Sequence, residues 1–158
     1  MDTSGNERHF VSFEEFVLSA EARGMTCPEF AREVGIEENG IYVILTGDGK
    51  FRFFDGKCEI PCPPGFEISK RIGDCVQDSG IRNLTIPESV ENIERYAFSS
   101  CPSLESVTIP KSARCIGEVA FFGCSLRSVS IPESVESIDM GAFLNCSSLR
   151  SVTIPKSV

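Results

Sequence analysis

The sequence predicts a solenoid of short parallel strands over residues 81–158, with one strand in each repeat of 22–23 residues, preceded by a small α+β unit. Three observations predict the solenoid. Four copies of one motif follow one another, opening IRNLTIPESV, LESVTIPKSA, LRSVSIPESV and LRSVTIPKSV. Each copy begins with alternating apolar and polar residues, as a strand does. Repeats this short cannot bury their apolar side alone, so stacked neighbours complete the core.

The strands and the return arm supply the predicted core. We number the repeats 1 to 4, as residues 81–103, 104–125, 126–148 and 149–158. A proline ends each strand because it cannot donate to a ladder. An Ala-Phe pair then marks a return arm, expected to be a turn and one short helical turn. The predicted core residues are Ile86, Ile109, Ile131, Ile154, Phe98, Phe121 and Phe143.

The polar strand positions form a candidate binding face. Aligned strands place these short side chains on one flat, hydroxyl-rich surface that is open to a broad partner. The alternative interpretation is structural, because Ser and Thr also fill solvated β faces. The candidate binding residues are Asn83, Thr85, Ser106, Thr108, Ser128, Ser130, Ser151 and Thr153.

Two columns of charge follow the strands. Equivalent residues of stacked repeats lie roughly 4.8 Å apart, so each charge should face its counterpart in the next repeat. The signs alternate along both columns, which favours ion pairs, although a merely solvated charged surface is the alternative. The columns are Glu88, Lys111, Glu133 and Lys156, and Glu91, Arg114 and Glu136.

The I-P-x-S-V, A-F and x-x-C-x-x-L elements of residues 81–158 resemble the BspA-like leucine-rich repeats of bacterial and protist surface proteins. Ala113, Cys115 and one residue missing before Leu126 depart from the pattern without breaking its register. The resemblance implies a curved, right-handed leucine-rich-repeat solenoid that serves adhesion or protein binding. Leucine-rich repeats place a buried Asn or Cys after the return arm. The predicted buried thiols are Cys101, Cys124 and Cys146.

Residues 1–57 predict a helix-helix-hairpin unit. Ser12 and Glu15 make a capping box and Val11 and Phe16 a hydrophobic staple for a helix that ends at Arg23. Thr26 with Glu29, and Met25 with Phe30, repeat this pattern for a second helix that ends at Gly35. The predicted hairpin comprises Ile41–Leu45 and Lys50–Phe54, joined by Thr46-Gly47-Asp48-Gly49. We expect the unit to cap the open end of the solenoid, since terminal repeats need a cover.

Residues 58–80 predict a Cys/Pro-rich connector. Its KCEIPCPPGFEISKRIGDC sequence is typical of cysteine-rich turns in extracellular proteins. Disulfides are possible, but four cysteines allow three pairings and the sequence does not choose among them. A zinc site is the weaker alternative, because the proline spacing is unlike a metal knuckle. The cysteines concerned are Cys27, Cys58, Cys62 and Cys75.

Composition argues against several functions. Residues 1–80 hold 15 acidic and 8 basic residues, which disfavours nucleic acid as a partner. No apolar stretch is long enough to span a membrane. The single histidine, His9, could activate only Cys27, which we interpret as a structural cysteine. The sequence therefore predicts a non-enzymatic protein without cofactor or metal.

Two functions remain. The family resemblance and the cysteine-rich turns favour an adhesion or recognition module at the cell surface. The absence of a visible signal peptide and the presence of Cys115, expected to be exposed, favour an intracellular scaffold. The chain stops within repeat 4, so we expect either a longer natural protein or self-association through an uncapped apolar end.

Overall fold

The computed structural model describes Phe10 and residues 12–158 and divides the chain into two compact units. The first, here the N-terminal unit, ends at Pro61, and the second, the repeat unit, is Cys62–Val158. The sequence predicted that the N-terminal unit ends at residue 57, which is four residues before Pro61. The observed unit is longer because strand Glu59–Ile60 pairs with its sheet.

Two short helices open the N-terminal unit. Helix α1 is Phe13–Ala22, and the Ser12 side chain accepts a hydrogen bond from the Glu15 backbone N–H at 3.2 Å. Val11, the other half of the predicted staple, lies outside the described residues. Helix α2 is Cys27–Val34, and its predicted capping box is confirmed. Thr26 N–H donates to Glu29 Oε2 at 2.8 Å and Glu29 N–H donates to Thr26 Oγ1 at 3.3 Å.

A four-stranded antiparallel sheet follows the helices. Its strands, in spatial order, are β1 (Ile36–Glu38), β2 (Ile41–Leu45), β3 (Phe51–Phe54) and β4 (Glu59–Ile60). The predicted β2–β3 hairpin is confirmed, with Leu45 opposite Phe51. Strand β1 was not predicted. It reaches β2 through Asn39 and Gly40, both at positive φ, the backbone conformation of a tight two-residue hairpin turn.

Phenylalanine rings form the centre of the N-terminal core. Phe16 is fully buried, and its ring centroid lies 5.2 Å from those of Phe10 and Phe30 and 5.6 Å from that of Phe54. These four residues come from both helices, from β3 and from the segment before α1. One aromatic cluster therefore joins the elements of the unit.

The repeat unit begins with a helix inside the predicted connector. Helix α3 is Lys70–Ser79, and the side chain of Ser69 caps its first turn. Just before the helix, Ile68 forms a parallel bridge with Ile93 of repeat 1. Residues 68–79 are therefore structured parts of the repeat unit rather than a plain connector, because they cover apolar surface at the start of the stack.

Each complete repeat contains two short strands, so the prediction of one strand per repeat was wrong. The first strands pair in parallel as β5 (Asn83–Thr85) with β7 (Ser106–Thr108), and as β9 (Ser128–Ser130) with β11 (Ser151–Thr153). The second strands form one parallel sheet of β6 (Asn92–Ile93), β8 (Cys115–Ile116) and β10 (Ser137–Ile138). The second strand arises because Ile93 and its equivalents also turn inward and stack.

The return arms consist of turns, without the expected helical turn, in the part of repeats 1 to 3 that the structure describes. Hydrogen bonds link one arm to the next: Phe98 N–H donates to Ala120 O at 2.7 Å and Phe121 N–H donates to Ala142 O at 2.8 Å. These bonds run between repeats rather than along a helix. The backbone of each return arm is thus satisfied by its neighbour in the stack.

The predicted core residues differ in burial along the stack. Eight are buried: Ile86, Ile109, Ile131, Phe98, Phe121, Cys101, Cys124 and Cys146. Phe143 is half-buried. The prediction that Ile154 belongs to the core was wrong, because its side chain is 60% exposed in repeat 4, where no described repeat covers it.

Candidate functional site

All eight predicted face residues lie on the exposed side of the first strands. In β5, β7 and β9 the central residue is buried and the residues on either side are exposed; in β11 the central Val152 is half-buried. Parallel pairing sets Asn83 opposite Ser106 and Ser128 opposite Ser151. We call these eight side chains the strand face: Asn83, Thr85, Ser106, Thr108, Ser128, Ser130, Ser151 and Thr153.

The strand face is made of short polar groups on a fixed backbone. Ser106 Oγ donates to Asn83 Oδ1 at 2.6 Å, so neighbouring repeats also share side-chain hydrogen bonds. At the step from β7 to β9, where the repeat is one residue shorter, Arg127 N–H donates to Glu105 O at 3.1 Å. The face can offer hydroxyl and amide groups to a ligand from a backbone already held in place.

A column of charged residues runs along one edge of the strand face, and sequence reasoning missed it. We call Arg82, Glu105, Arg127 and Arg150 the arginine column, because each immediately precedes the first residue of a strand. Glu105 accepts from Arg82 Nη2 at 2.8 Å, and its other oxygen lies 3.4 Å from Arg127 Nη2. The column is visible in the aligned repeats, one position before the first strand-face residue of each repeat.

A cleft lies at the end of the arginine column. It encloses about 700 Å³. Its lining residues are Arg127, Ser128, Ser147, Ser148, Leu149, Arg150 and Ser151. Ser128 and Ser151 also belong to the strand face, so the cleft and the face are continuous.

One predicted charge column contains an ion pair and the other does not. Arg114 Nη2 lies 3.1 Å from Glu136 Oε2, and the hydrogen bond from Arg114 to Glu136 raises the pKa of Arg114. In the second column, Glu88, Lys111, Glu133 and Lys156, the described residues form no ion pair. A further pair, Arg95 with Glu118 at 2.9 Å, lies on the return arms.

Two buried thiols of the repeat unit bind backbone carbonyls of neighbouring repeats. Cys124 Sγ donates to Phe98 O at 3.1 Å and Cys146 Sγ donates to Phe121 O at 3.0 Å. A hydrogen bond with Cys124, together with burial, raises the pKa of Cys101, and burial raises the pKa of Cys146. The hydrogen bond with Cys101 lowers the pKa of Cys124. Cys101 and Cys146 are therefore protonated structural groups, whereas Cys115 is half-buried.

Cys27 and Cys62 are poor nucleophiles in their described environments. Burial and the nearby carboxylates of Glu59 and Glu21 raise the pKa of Cys27, and burial raises the pKa of Cys62 to about 11. Cys27, Cys58 and Cys62 are free thiols here. His9 and the side chain of Cys75 lie outside the described part of the chain.

Neither a metal site nor a membrane helix is found in the described residues. No three His, Cys, Asp or Glu side chains there are grouped closely enough to hold a metal ion. Among the same residues, no helix has both the length and the apolar character that crossing a membrane requires.

A family model described as the BspA type Leucine rich repeat region matches residues 71–158 in six copies. The chain belongs to this family. The match begins within α3, so it includes part of the helix at the start of the stack as well as the four repeats. BspA-type membership indicates a protein-interaction module, and repeat modules of this kind are generally non-enzymatic. No curated protein matches the chain.

The solved structures similar to it include three bacterial proteins. The first is a leucine rich cell surface protein from Faecalibacterium prausnitzii, 35% identical over 54% of this chain and 22% of the other, with a TM-score of 0.49. Two leucine-rich repeat proteins come from Bacteroides ovatus (24% identity, 76% and 41% coverage, TM-score 0.43) and Bacteroides capillosus (19%, 75% and 96%, TM-score 0.45). The chain thus spans about a fifth of the first protein and two fifths of the second.

Proposed function

We propose that the repeat unit binds a protein partner through the strand face, as a recognition or adhesion module at a cell surface. In this proposal the repeats form a curved solenoid preceded by the small α+β unit. One observation carries it: eight exposed polar side chains stand on the first strands of the four repeats, in register within each of two parallel pairs. The membership of the chain in the BspA-type family, whose repeats occur in bacterial and protist surface proteins, supports the location.

The chemistry of the strand face suits a broad protein surface. Serine and threonine side chains have little rotamer freedom to lose, so ordering them costs less than ordering long side chains. Each hydroxyl both donates and accepts a hydrogen bond, and can therefore meet either kind of backbone group in a partner. The face carries no aromatic anchor, so we expect affinity to come from several repeats together.

A photo-crosslinking residue at Ser128 tests the proposal. Ser137 provides a matched control, because it is also an exposed serine of a parallel strand in repeat 3 but lies on the second sheet. Introduced separately in the protein's own cells, the two probes should give different adducts, with one specific protein captured from position 128 alone.

The captured protein is then purified and its affinity measured by calorimetry. Ser128→Tyr should weaken binding at least about tenfold, since a bulky side chain blocks the flat face, and Ser137→Tyr should leave the affinity unchanged. Identical adducts from both positions, or equal losses from both variants, would refute the strand face as the binding surface.

An intracellular scaffold is the alternative, and the free thiols of Cys27, Cys58 and Cys62 favour it. Alkylation and mass spectrometry of protein from its own source separate the two locations. A surface protein should show cysteines of residues 27–75 that react only after reduction. An intracellular one should show all eight cysteines reacting after denaturation alone.

A further inference from the structure

The arginine column breaks the alternation of charge that the other columns keep. Glu105 stands between Arg82 and Arg127 and pairs with both. Arg150 continues the column beyond Arg127, and among the described residues it forms no ion pair. Two arginines therefore stand in adjacent repeats at one register position, in a chain whose net charge is −8.

The backbone holds these two arginines side by side. Arg150 N–H donates to Arg127 O at 2.8 Å, and the next residues, Ser151 and Ser128, are paired in the β11–β9 ladder. Like charges directly opposite each other destabilise a pair of strands. An anion placed between the guanidinium groups removes that repulsion and gains charge-assisted hydrogen bonds.

The surroundings of the pair supply further donors. The cleft of about 700 Å³ between Arg127 and Arg150 is also lined by the hydroxyls of Ser128, Ser147, Ser148 and Ser151. No Asp or Glu is among its described lining residues, and the nearby carboxylate of Glu105 lies 3.4 Å from Arg127 Nη2. Arginine presents a planar fork that matches a carboxylate with two parallel hydrogen bonds. Apart from Leu149, the lining side chains are thus hydrogen-bond donors of positive or neutral charge.

We propose that the cleft between Arg127 and Arg150 binds side-chain carboxylates from an acidic segment of the protein partner. The inference rests on the proposed function, because Ser128 and Ser151 join the cleft to the strand face and a partner lying across the face reaches both. It adds the chemical character of the partner: a segment rich in Asp or Glu, aligned with repeats 3 and 4.

Hexaglutamate is the probe, with hexaglutamine as its neutral counterpart, and binding to the full chain is followed by calorimetry and NMR at low salt. Hexaglutamate should bind and hexaglutamine should not. Arg127→Gln and Arg150→Gln should each weaken binding about tenfold, the loss of one charged hydrogen-bonding partner. Arg150→Lys keeps the charge and should retain part of the affinity.

Arg95→Gln is the matched control. Its side chain is 65% exposed against 68% for Arg127, and the substitution removes the same charge from the return arm. It should leave hexaglutamate binding unchanged. Circular dichroism establishes that each variant is folded before binding is compared.

Three outcomes would overturn the inference: no binding of hexaglutamate, equal loss in Arg95→Gln, or binding of inorganic sulfate at the two arginines without binding of hexaglutamate, which would identify a site for free ions. Any of these together with a partner captured at Ser128 refutes the acidic segment and leaves the strand face standing. Arginine-dependent hexaglutamate binding without an adduct at Ser128 refutes the strand face instead.

Discussion

The two units build their cores in opposite ways. In the N-terminal unit, Phe16 lies within 5.6 Å of three other rings that come from different elements, so one cluster serves the whole unit. In the repeat unit, the buried rings of the return arms stack on those of the adjacent repeats: Phe98 on Phe121 at 5.3 Å, and Phe121 on Phe143 at 5.4 Å. In the repeat unit, the position of a residue along the stack therefore decides how much its side chain contributes to the stability of the fold.

The largest expected effect tests this dependence on position. Phe121→Ala removes a fully buried ring with a neighbour on each side and should lower the free energy of unfolding by about 3–5 kcal/mol. Phe143→Ala removes a half-buried ring that stacks on one described neighbour, so it should lower the free energy of unfolding clearly less than Phe121→Ala does. Urea denaturation measures both, with Phe121→Leu as a milder variant if Phe121→Ala does not fold. Equal losses at 121 and 143 would contradict the nearest-neighbour description.

A second prediction concerns the start of the stack, where α3 meets repeat 1. Gly73 lies so close to the backbone that a Cβ there would fall 1.4 Å from Ala97 O. Alanine in place of glycine ordinarily stabilises a helix by up to about 1 kcal/mol. Here Gly73→Ala should instead lower the free energy of unfolding by roughly 1–3 kcal/mol, because α3 and repeat 1 must move apart to make room for the added methyl group.

Gln77→Ala, at an exposed site of the same helix, serves as the control and should change stability by less than about 0.5 kcal/mol. Thermal denaturation compares the two variants. A stabilising Gly73→Ala would mean that α3 does not pack against repeat 1 as described.

The smallest effect belongs to the N-terminal unit, where a local cap starts α2. Thr26→Ala removes the side chain that accepts the Glu29 backbone N–H and should cost about 1 kcal/mol. Ser19→Ala is the comparison, since Ser19 lies inside α1 and donates to Glu15 O, a bond that helix formation does not require. Chemical denaturation should show the loss for Thr26 alone.

The same cap at Thr26 and Glu29 predicts that the stability of the protein depends on pH. The hydrogen bond from Thr26 N–H lowers the pKa of Glu29 below its ordinary value of 4.5. A lowered folded-state pKa contributes stability that is complete above that ordinary value and is lost as the pH falls through the lowered one. Glu29→Gln should therefore be less stable than wild type at pH 7 and nearly equal to it at low pH. A difference that persists undiminished in acid would exclude the charged cap.

Local patterns predicted much of the N-terminal unit and failed where a turn was overlooked. The caps at Ser12 and Thr26 and the β2–β3 hairpin follow from short-range chemistry, which the sequence displays directly. Strand β1 was missed although Asn39-Gly40 is a dipeptide that favours tight hairpin turns. Strand β4 has only two residues, so its formation depends on β3 being present beside it.

In the candidate site, the sequence predicted which residues share a face but not which charges meet. The alternation in each repeat placed all eight strand-face residues, because inward and outward positions are set by a period of two. The arginine column was overlooked because its pairing is not a strict alternation: one Glu105 serves two arginines and leaves Arg150 beyond them.

By itself the sequence determined the repeat, its first strands, most of its apolar columns and the caps of two helices, because each depends on residues close together in the chain. Only the tertiary structure decided that α3 belongs to the stack, that Ile93 and its equivalents form a second sheet, and that Ile154 stays exposed. Those outcomes depend on what lies about 23 residues away in the neighbouring repeat. The burial and pairing of a side chain in a stack depend on residues of the adjacent repeats, so the sequence of one repeat cannot determine them.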